Sequence, residues 1–292
     1  MHLRLLRSLS VAACVIGAGA LVAACGGGPS RPSPNPGGTP PPANSPPVVK
    51  SITASAARAE VGQPISLSAT VEDAETPVDN LTYVWTAPNG TFAGTGRNVT
   101  WTPGSDAATP GDFTITLSLV ERYISGSTTK ENTASGTTTI HVNNSPRELA
   151  ELSLRFLGEF ANSKIPPEQC VAEFSDSCRG KKEELENIID NRHDFEIMAS
   201  TLRHTGLQID PSFTRATVHT ACSFTSRVIT NSPQSGGCTA SPSSCRFGST
   251  QAVDGDCWTT NLYERGRWWL CDSHFAPRGA LTAFARAFFG MR

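Results

Sequence analysis

A proline- and glycine-rich segment, Gly26 to Pro47, sets the strongest limit on how this 292-residue chain can fold. Proline fixes φ and lacks a backbone donor, so the segment cannot join a helix or a sheet and is expected to be extended and solvated. In polyproline II form, at about 3.1 Å per residue, it spans up to roughly 70 Å. Any folded core must therefore come from the residues after Pro47, which are numerous enough for two ordinary domains.

Residues 1–24 have the layout of an export signal. Two arginines precede an apolar stretch, Leu9 to Ala24, that is too short and too rich in alanine and glycine for a stable membrane span. The stretch ends in L-V-A-A-C, which resembles the bacterial lipobox. The resemblance implies cleavage before Cys25 and a diacylglyceryl group on its thiol, so residues 25–47 would be a lipidated tether. The alternative for the signal is a plain secretory signal in which Cys25 occurs by chance. A second role for residues 25–47, as a proline-rich ligand for a partner, is less favoured.

The expected location follows from the same residues. Gly26 stands after the lipid site where, by resemblance, many lipoproteins that stay at the inner membrane have an aspartate. We therefore expect an exported protein that is held at a membrane by the lipid on Cys25, at the outer membrane if the host is Gram-negative. The formal net charge is -2, so the chain lacks the basic surface that a nucleic-acid partner requires.

The cysteines point to disulfide bonds. Of nine in the chain, Cys14 lies in the signal and Cys25 is the lipid site, which leaves seven. In an oxidising compartment these are expected to form disulfides, and the absence of C-x-x-C argues against zinc, so no metal site is predicted. Because seven is odd, at least one thiol stays free, is buried or pairs with another chain. The favoured pairings are Cys170 with Cys178, and Cys238, Cys245 and Cys257 among themselves or with Cys222, while Cys271 is a further candidate.

Residues 48–143 are predicted to be an all-β domain, because short strands of period two alternate with glycine, proline and asparagine turns. The segments V-G-Q-P-I-S-L-S-A-T-V-E-D (Val61 to Asp73), L-T-Y-V-W (Leu81 to Trp85) and F-T-I-T-L-S-L (Phe113 to Leu119) resemble the polycystic-kidney-disease (PKD) and related immunoglobulin-like modules. The resemblance implies a β-sandwich that acts as a spacer or an adhesive unit. Glu72, Asp73 and Glu75 suit calcium by residue type, but solvated turn acids are the favoured interpretation.

Residues 146–292 change to a mixed pattern. Ser145-Pro146 is a helix start, with serine as the cap, and apolar residues follow at helical spacing. Arg265-Gly266 is a two-residue hairpin signal. We predict three helices, which run from the Ser145-Pro146 start to Phe160, from Pro166 to Phe174 and from Gly180 to Asn191. The third helix is expected to turn Leu185, Ile188 and Ile189 inward. Strands are predicted to follow over Phe195 to Leu202, Leu207 to Asp210, Arg215 to Ile229, Cys257 to Glu264 and Arg267 to Phe275.

This order of elements, with G-K-K-E-E-L-E-N-I (Gly180 to Ile188) and E-R-G-R-W-W-L (Glu264 to Leu270), resembles the nuclear-transport-factor-two-like superfamily of the SnoaL type. The resemblance implies an α+β cone, with three helices packed on a curved antiparallel sheet. The family includes polyketide cyclases and ketosteroid isomerases together with non-catalytic binding domains. In its enzymes a carboxylate, or an Asp-His pair, projects into the cone and moves a proton.

The candidates for such a pair are Asp272 and His274, two apart on one strand and so on one face. His219, on a neighbouring strand, is a weaker third candidate. The hairpin register predicts Thr259 opposite Asp272 and Trp268 opposite Tyr263, two pairs that the structure can check.

The favoured function is a non-catalytic binding, adhesion or scaffold protein of the cell envelope, with a small ligand or an envelope protein as its partner. The alternative is a tethered cyclase- or isomerase-like enzyme that uses Asp272 and His274, and a third is a purely structural surface protein. No phosphate loop, H-E-x-x-H or triad signature is present, so no cofactor is expected. The tail from Ala276 to Arg292 reads as an amphipathic helix that folds back on the cone or forms a homodimer contact; its apolar residues are Leu281, Phe284, Phe288 and Phe289.

Overall fold

The computed structural model describes residues 43–234, 238, 243 and 245–278. The predicted signal, the lipid site Cys25, most of the tether and the carboxy-terminal helix therefore lie outside the described residues. From Asn44 onward the described chain forms one compact unit. None of the helices in this part is long and apolar enough to cross a lipid bilayer.

The first part of this unit consists of two four-stranded sheets. One has the order β1-β3-β6-β5 and the other β2-β8-β7-β4, and only the β2–β8 pair is parallel. Buried side chains from both sheets share common clusters, so the sheets pack face to face. The strands are β1 Val48–Ala54, β2 Arg58–Glu60, β3 Ile65–Glu72, β4 Thr82–Thr86, β5 Thr91–Ala93, β6 Asn98–Thr102, β7 Gly111–Ser125 and β8 Thr128–Asn143.

The alternation predicted for these strands is confirmed. Along β3, buried and exposed residues alternate without a break, as period two requires of a sheet with one covered face. On β7 the same pattern buries Phe113, Ile115, Leu117 and Leu119. Trp101 of β6 is fully buried, and its indole Nε1 donates to the Asn89 carbonyl oxygen at 3.0 Å.

Among the described residues, the second part, from Ser145 onward, has three helices, α1 Ser145–Ala161, α2 Pro167–Cys170 and α3 Gly180–Asp194, followed by four strands. The strands are β9 Phe195–Ile209, β10 Arg215–Val228, β11 Thr250–Glu264 and β12 Arg267–Pro277. They form a curled antiparallel meander in the order β12-β11-β10-β9, with α1 packed against β9, β10 and β12. Arg265 and Gly266 both have positive φ, which confirms the predicted hairpin turn.

Several predicted boundaries are wrong. The cap of α1 is Asn144, whose side chain accepts a hydrogen bond from the Arg147 amide, because Ser145 is buried and its hydroxyl donates to Glu60. Helix α2 ends at Cys170 rather than Phe174, and the two strands predicted between Phe195 and Asp210 are one continuous strand. Strand β11 begins at Thr250 and not at the predicted Cys257, so the loop between β10 and β11 is shorter than the predicted one.

Arg58 of β2 joins the two parts of the unit. Its guanidinium lies 3.4 Å from the centroid of the Tyr263 ring and donates to the Phe213 carbonyl oxygen at 2.7 Å. It also donates to the carboxylate of Glu60, which is only 6% exposed, at 2.6 Å. The ion pair supplies the charged partner that a buried carboxylate requires, and the contacts with Tyr263 and Phe213 hold β2 against the curled sheet.

Three disulfides lie in the second part: Cys178–Cys271, Cys222–Cys257 and Cys238–Cys245. The general prediction of disulfides is confirmed, and the last two bonds are among the pairings left open by the sequence. The predicted Cys170–Cys178 bond is wrong. After α2 the chain runs along β12, where Phe174 forms a bridge with Leu270, and this path brings Cys178 to Cys271. Cys170 is a buried free thiol.

Candidate functional site

A cavity of about 450 Å³ lies between helices α1 and α3 and strands β10 to β12. It opens to solvent on the side where the exposed residues Glu183 and Asn187 of α3 border it. Half of the described lining residues are apolar or aromatic and half are polar or charged. The described lining residues are Phe156, Leu157, Phe160, Glu183, Glu184, Asn187, Asn191, Phe224, Cys257, Trp258, Asp272, Ser273, His274 and Phe275.

The aromatic wall is built by α1 and the sheet together. Phe156 and Phe160 are four residues apart on α1 and so lie on one helix face. Phe156 makes an edge contact with Phe174, with 5.1 Å between ring centroids, and Phe160 makes one with Phe224 at 5.8 Å. Edge-to-face pairs of this kind hold the rings in fixed orientations, so this side of the cavity is preformed.

Glu184 is the polar group at the centre of the site. Its side chain is buried, with 9% of the residue exposed, and the Ser273 hydroxyl donates to its Oε2 at 2.5 Å. The pKa of Glu184 is raised to about 7: burial is the largest cause, the Ser273 hydrogen bond lowers the pKa, and the nearby Asp272 carboxylate raises it. At neutral pH the carboxyl therefore exists in both its protonated and its ionised form.

Glu184 is not among the residues predicted from the sequence, because K-K-E-E-L-E-N is typical of a solvated helix surface. The signal was present in the helical period: Glu184 is four residues before Ile188, and both are buried. The inner face of α3 is formed by Glu184, Ile188 and Asn191, whereas Ile189 is 46% exposed, so the prediction that Ile189 points inward is wrong.

Asp272 and His274 lie together at the mouth of the cavity. The distance from His274 Nε2 to Asp272 Oδ2 is 3.0 Å, and both side chains are about half exposed. The His274 ring is 5.4 Å from that of Trp258, centroid to centroid. The structure thus brings the two predicted site residues into contact, and it places them where the cavity meets solvent rather than in its closed end.

Of the two cross-strand pairs predicted for the β11–β12 hairpin, one is confirmed and one is wrong. Trp268 is opposite Tyr263, as expected, but Thr260 rather than Thr259 is opposite Asp272. A bulge causes the difference, because Cys271 has no partner residue on β11 and the register shifts by one beyond it.

His219, the third candidate, is separated from the cavity. Its Nδ1 lies 3.0 Å from Asp256 Oδ2, and its ring stacks on Trp258 with 6.1 Å between centroids. It is not among the described residues that line the cavity. Trp258 therefore stands between the two histidines, and His219 does not reach Asp272.

The acidic residues of the first part make separate local contacts. The Asp73 carboxylate accepts hydrogen bonds from the Glu75 and Thr76 amides, and Glu72 pairs with Lys50 at 2.9 Å. Within residues 43–234 and 245–278, no three histidine, cysteine or carboxylate side chains are grouped so that they could hold a metal ion.

Comparisons with known proteins found no matching family model and no matching curated protein. Part of the chain is similar to the intermembrane space region of chloroplast protein ARC6, at 11% identity over 44% of this chain and 97% of that one, with a TM-score of 0.31. A putative scytalone dehydratase from Novosphingobium aromaticivorans gives 14% identity over 46% and 84%, with a TM-score of 0.33. A hexachlorocyclohexane dehydrochlorinase (LinA) gives 10% over 47% and 90%, with a TM-score of 0.31. Similarity this weak transfers neither an activity nor a ligand to the chain.

Proposed function

We propose that this chain is an exported, lipid-anchored protein of the cell envelope that binds a small molecule in the cavity between α1, α3 and the curled sheet. The cavity is the observation that supports the proposal. Its volume of about 450 Å³ lies within the range of small-molecule sites, and it combines a preformed aromatic wall with polar groups that can fix the orientation of a ligand. Glu184 and Ser273 would orient the polar end of the ligand, and the rings would cover its apolar body.

The export part of the proposal is supported by the cysteines. Three disulfides suit an oxidising compartment, and L-V-A-A-C followed by a proline-rich segment suits a lipid on Cys25 with a tether. In the same proposal, residues 48–143 are an immunoglobulin-like spacer of the PKD class and residues 146–292 are a nuclear-transport-factor-two-like binding domain. The two packed sheets and the order of three helices and four antiparallel strands support these assignments.

Ligand binding is tested by a thermal-shift screen of small molecules against the wild type and an Asn187→Trp variant. Asn187 is exposed and borders the cavity, so a large ring there would fill the opening without disturbing the core. Compounds that raise Tm in the wild type should lose this effect in Asn187→Trp and keep it in the control Asp190→Trp, which changes an exposed residue of the same helix outside the lining. A screen without hits, or hits unaffected by Asn187→Trp, would contradict the proposal.

The anchor is tested separately by growth of a bacterial expression host with labelled palmitate. The wild-type chain should carry label and begin at Cys25, and a Cys25→Ala chain should carry none. An unlabelled wild-type chain would remove the anchor from the proposal and leave the binding site untouched.

A second function, proton transfer on the bound molecule, is favoured by one specific observation. Glu184 is a buried carboxyl with a pKa raised to about 7, and such a group can take a proton from a carbon acid and return it at another position. The Asp272–His274 pair lies at the opening of the same cavity. The resemblance to cyclases and isomerases implies the same chemistry.

This second function predicts that the protein accelerates exchange of the α-protons of a bicyclic ketone such as 2-tetralone in D2O, measured by mass spectrometry. Exchange should fall to the buffer rate in Glu184→Gln and remain in Glu186→Gln, which carries the same change outside the cavity. If the wild type gives only the buffer rate with a ketone that is shown to bind, the enzymatic function is refuted and the binding function stands.

A further inference from the structure

We propose that the ligand is an organic cation: a protonated amine on an aromatic or other apolar body, with the ammonium group against the Glu184 carboxylate. The inference rests on the proposed function, since it specifies what the same cavity holds. Three features of the described residues carry it, namely the charge of the lining, the environment of Glu184 and the aromatic wall.

The charged lining residues are mostly acidic. Glu183, Glu184 and Asp272 border the cavity, and among the described lining residues there is no lysine or arginine. The one basic group, His274, is already paired with Asp272. A concave, partly apolar site with one sign of charge concentrates the field of that charge, so the cavity attracts cations and repels anions.

The two lysines of α3 do not neutralise the acidic lining of the cavity. Lys181 lies 2.5 Å from Asp176 and Lys182 lies 3.7 Å from Glu186, so both ammonium groups are occupied on the outside of the helix. Neither residue is among the described lining residues.

Glu184 gains most from a cation. Its carboxyl is desolvated and faces another carboxylate, Asp272, so its ionised form is unfavourable in the empty cavity. A ligand ammonium at hydrogen-bond distance would give the buried carboxylate its missing counter-charge, whereas a neutral hydroxyl would leave the charge uncompensated. The difference between these two cases is the source of the expected selectivity.

The aromatic wall suits the remainder of such a ligand. Phe156, Phe160 and Phe224 line the same cavity as Glu184, and aromatic ring faces attract cations as well as apolar groups. In the proposed complex a flat aromatic body packs on these rings, and a short aminomethyl arm carries the ammonium group to the Glu184 carboxylate. An arylmethylamine combines the two features that this lining selects, a ring and a nearby cation.

The experiment uses three probes with one ring system: 1-naphthylmethylamine, 1-naphthalenemethanol and 1-naphthoate, titrated by fluorescence against the purified protein at pH 7. The amine should bind at least about tenfold more tightly than the alcohol, and the carboxylate most weakly. In Glu184→Gln the amine should bind within about threefold of the alcohol. Glu186→Gln removes the same charge from the same helix outside the cavity, and the preference for the amine should persist there.

A second measurement needs no change at Glu184. The other titratable groups of the described lining are Asp272 and His274 of β12 and Glu183 of the same helix as Glu184, while α1 contributes only apolar residues. The affinity of the wild type for the amine should rise about tenfold from pH 6 to pH 8, as the carboxyl becomes ionised, and that for the alcohol should not. The same rise in a His274→Asn variant excludes the histidine as its origin.

The outcomes separate the inference from the proposed function. If the alcohol binds as tightly as the amine, or if Glu184→Gln still binds the amine more tightly than the alcohol, the proposal of a cationic ligand is refuted, while the proposed binding site stands. If none of the probes binds and the hits of the thermal-shift screen are neutral or anionic, the cation is again refuted. A screen without any hit would overturn the proposed function itself.

Discussion

The buried carboxyl of Glu184 should make the stability of the protein depend on pH in a way that a single substitution removes. Glutamine has the shape of protonated glutamate and is neutral at every pH, and its side-chain oxygen can accept the hydrogen bond from the Ser273 hydroxyl. Glu184→Gln therefore keeps the packing and the hydrogen bond and eliminates only the ionised state. The difference in free energy of unfolding between the two proteins isolates the cost of a buried charge.

The sign and size of this difference follow from the pKa. In the unfolded chain Glu184 titrates near its ordinary value of 4.5, and burial raises the pKa to about 7 in the folded protein. Between these values the folded state holds a proton that the unfolded state has lost, so the free energy of unfolding of the wild type falls as pH rises. The difference between 4.5 and about 7, at about 1.4 kcal/mol per pH unit, corresponds to about 3 kcal/mol. Below pH 4.5 this cost is absent, and above pH 7 it is complete.

Urea unfolding followed by tryptophan fluorescence, at several pH values from 4 to 8, measures the effect. Wild type and Glu184→Gln should have nearly equal free energies of unfolding at pH 4, and the variant should be more stable by about 3 kcal/mol at pH 8. The control Glu186→Gln disrupts only an exposed pair with Lys182, and its difference from wild type should stay within about 0.5 kcal/mol. A gap between wild type and Glu184→Gln that does not grow with pH would refute the assignment of a desolvated carboxyl.

Three further predictions concern other parts of the molecule. Arg58→Ala should lower the free energy of unfolding by about 3 kcal/mol, because it leaves the buried Glu60 carboxylate without its cation. The control Arg122→Ala removes one partner of an exposed ion pair and should lower the free energy of unfolding by less than about 1 kcal/mol. Equal losses in urea unfolding would contradict this prediction. In Gly255→Ala the added methyl would lie 2.2 Å from the phenylalanine ring of β12 that lines the cavity, so we expect the free energy of unfolding to fall by about 1–3 kcal/mol and the probes to bind more weakly. In the control Gly206→Ala the methyl would lie 3.7 Å from its nearest neighbour, and stability and binding should not change. The thiol of Cys170 is buried and lies outside the disulfides, so it should resist alkylation in the native protein and react in urea; rapid native labelling would show that the site is open.

The strands of the first part could be predicted because their signal is local. Alternation along β3 and β7 depends only on which neighbours in sequence share a face, and the buried residues are those that the period selects. The hairpin at Arg265-Gly266 was predictable for the same reason, since two adjacent residues determine the turn.

The disulfide pairing could not be predicted in this way, because it depends on the path of the chain in space. Cys170 and Cys178 are close in sequence, but a bridge between Phe174 and Leu270 directs the chain along β12 between them. That single contact commits Cys178 to Cys271, and nothing local encodes it. The contacts of Arg58 with the curled sheet are nonlocal in the same sense.

The candidate site depends on an irregularity that no periodic pattern contains. A regular β12 would alternate faces from Leu270 onward and turn Phe275 outward, but the bulge at Cys271 inserts one residue, so that both of these side chains are buried. The carbonyl oxygen of Cys271 would lie 2.2 Å from a β-carbon at position 180, so only glycine lets α3 begin this close to the strand. From that start, Glu184 is one helical turn along and reaches the Ser273 hydroxyl. The contact between Glu184 and Ser273 therefore results from one bulge and one glycine, which is why the sequence pattern offered Asp272 and His274 as candidates and did not indicate the carboxyl between α3 and β12.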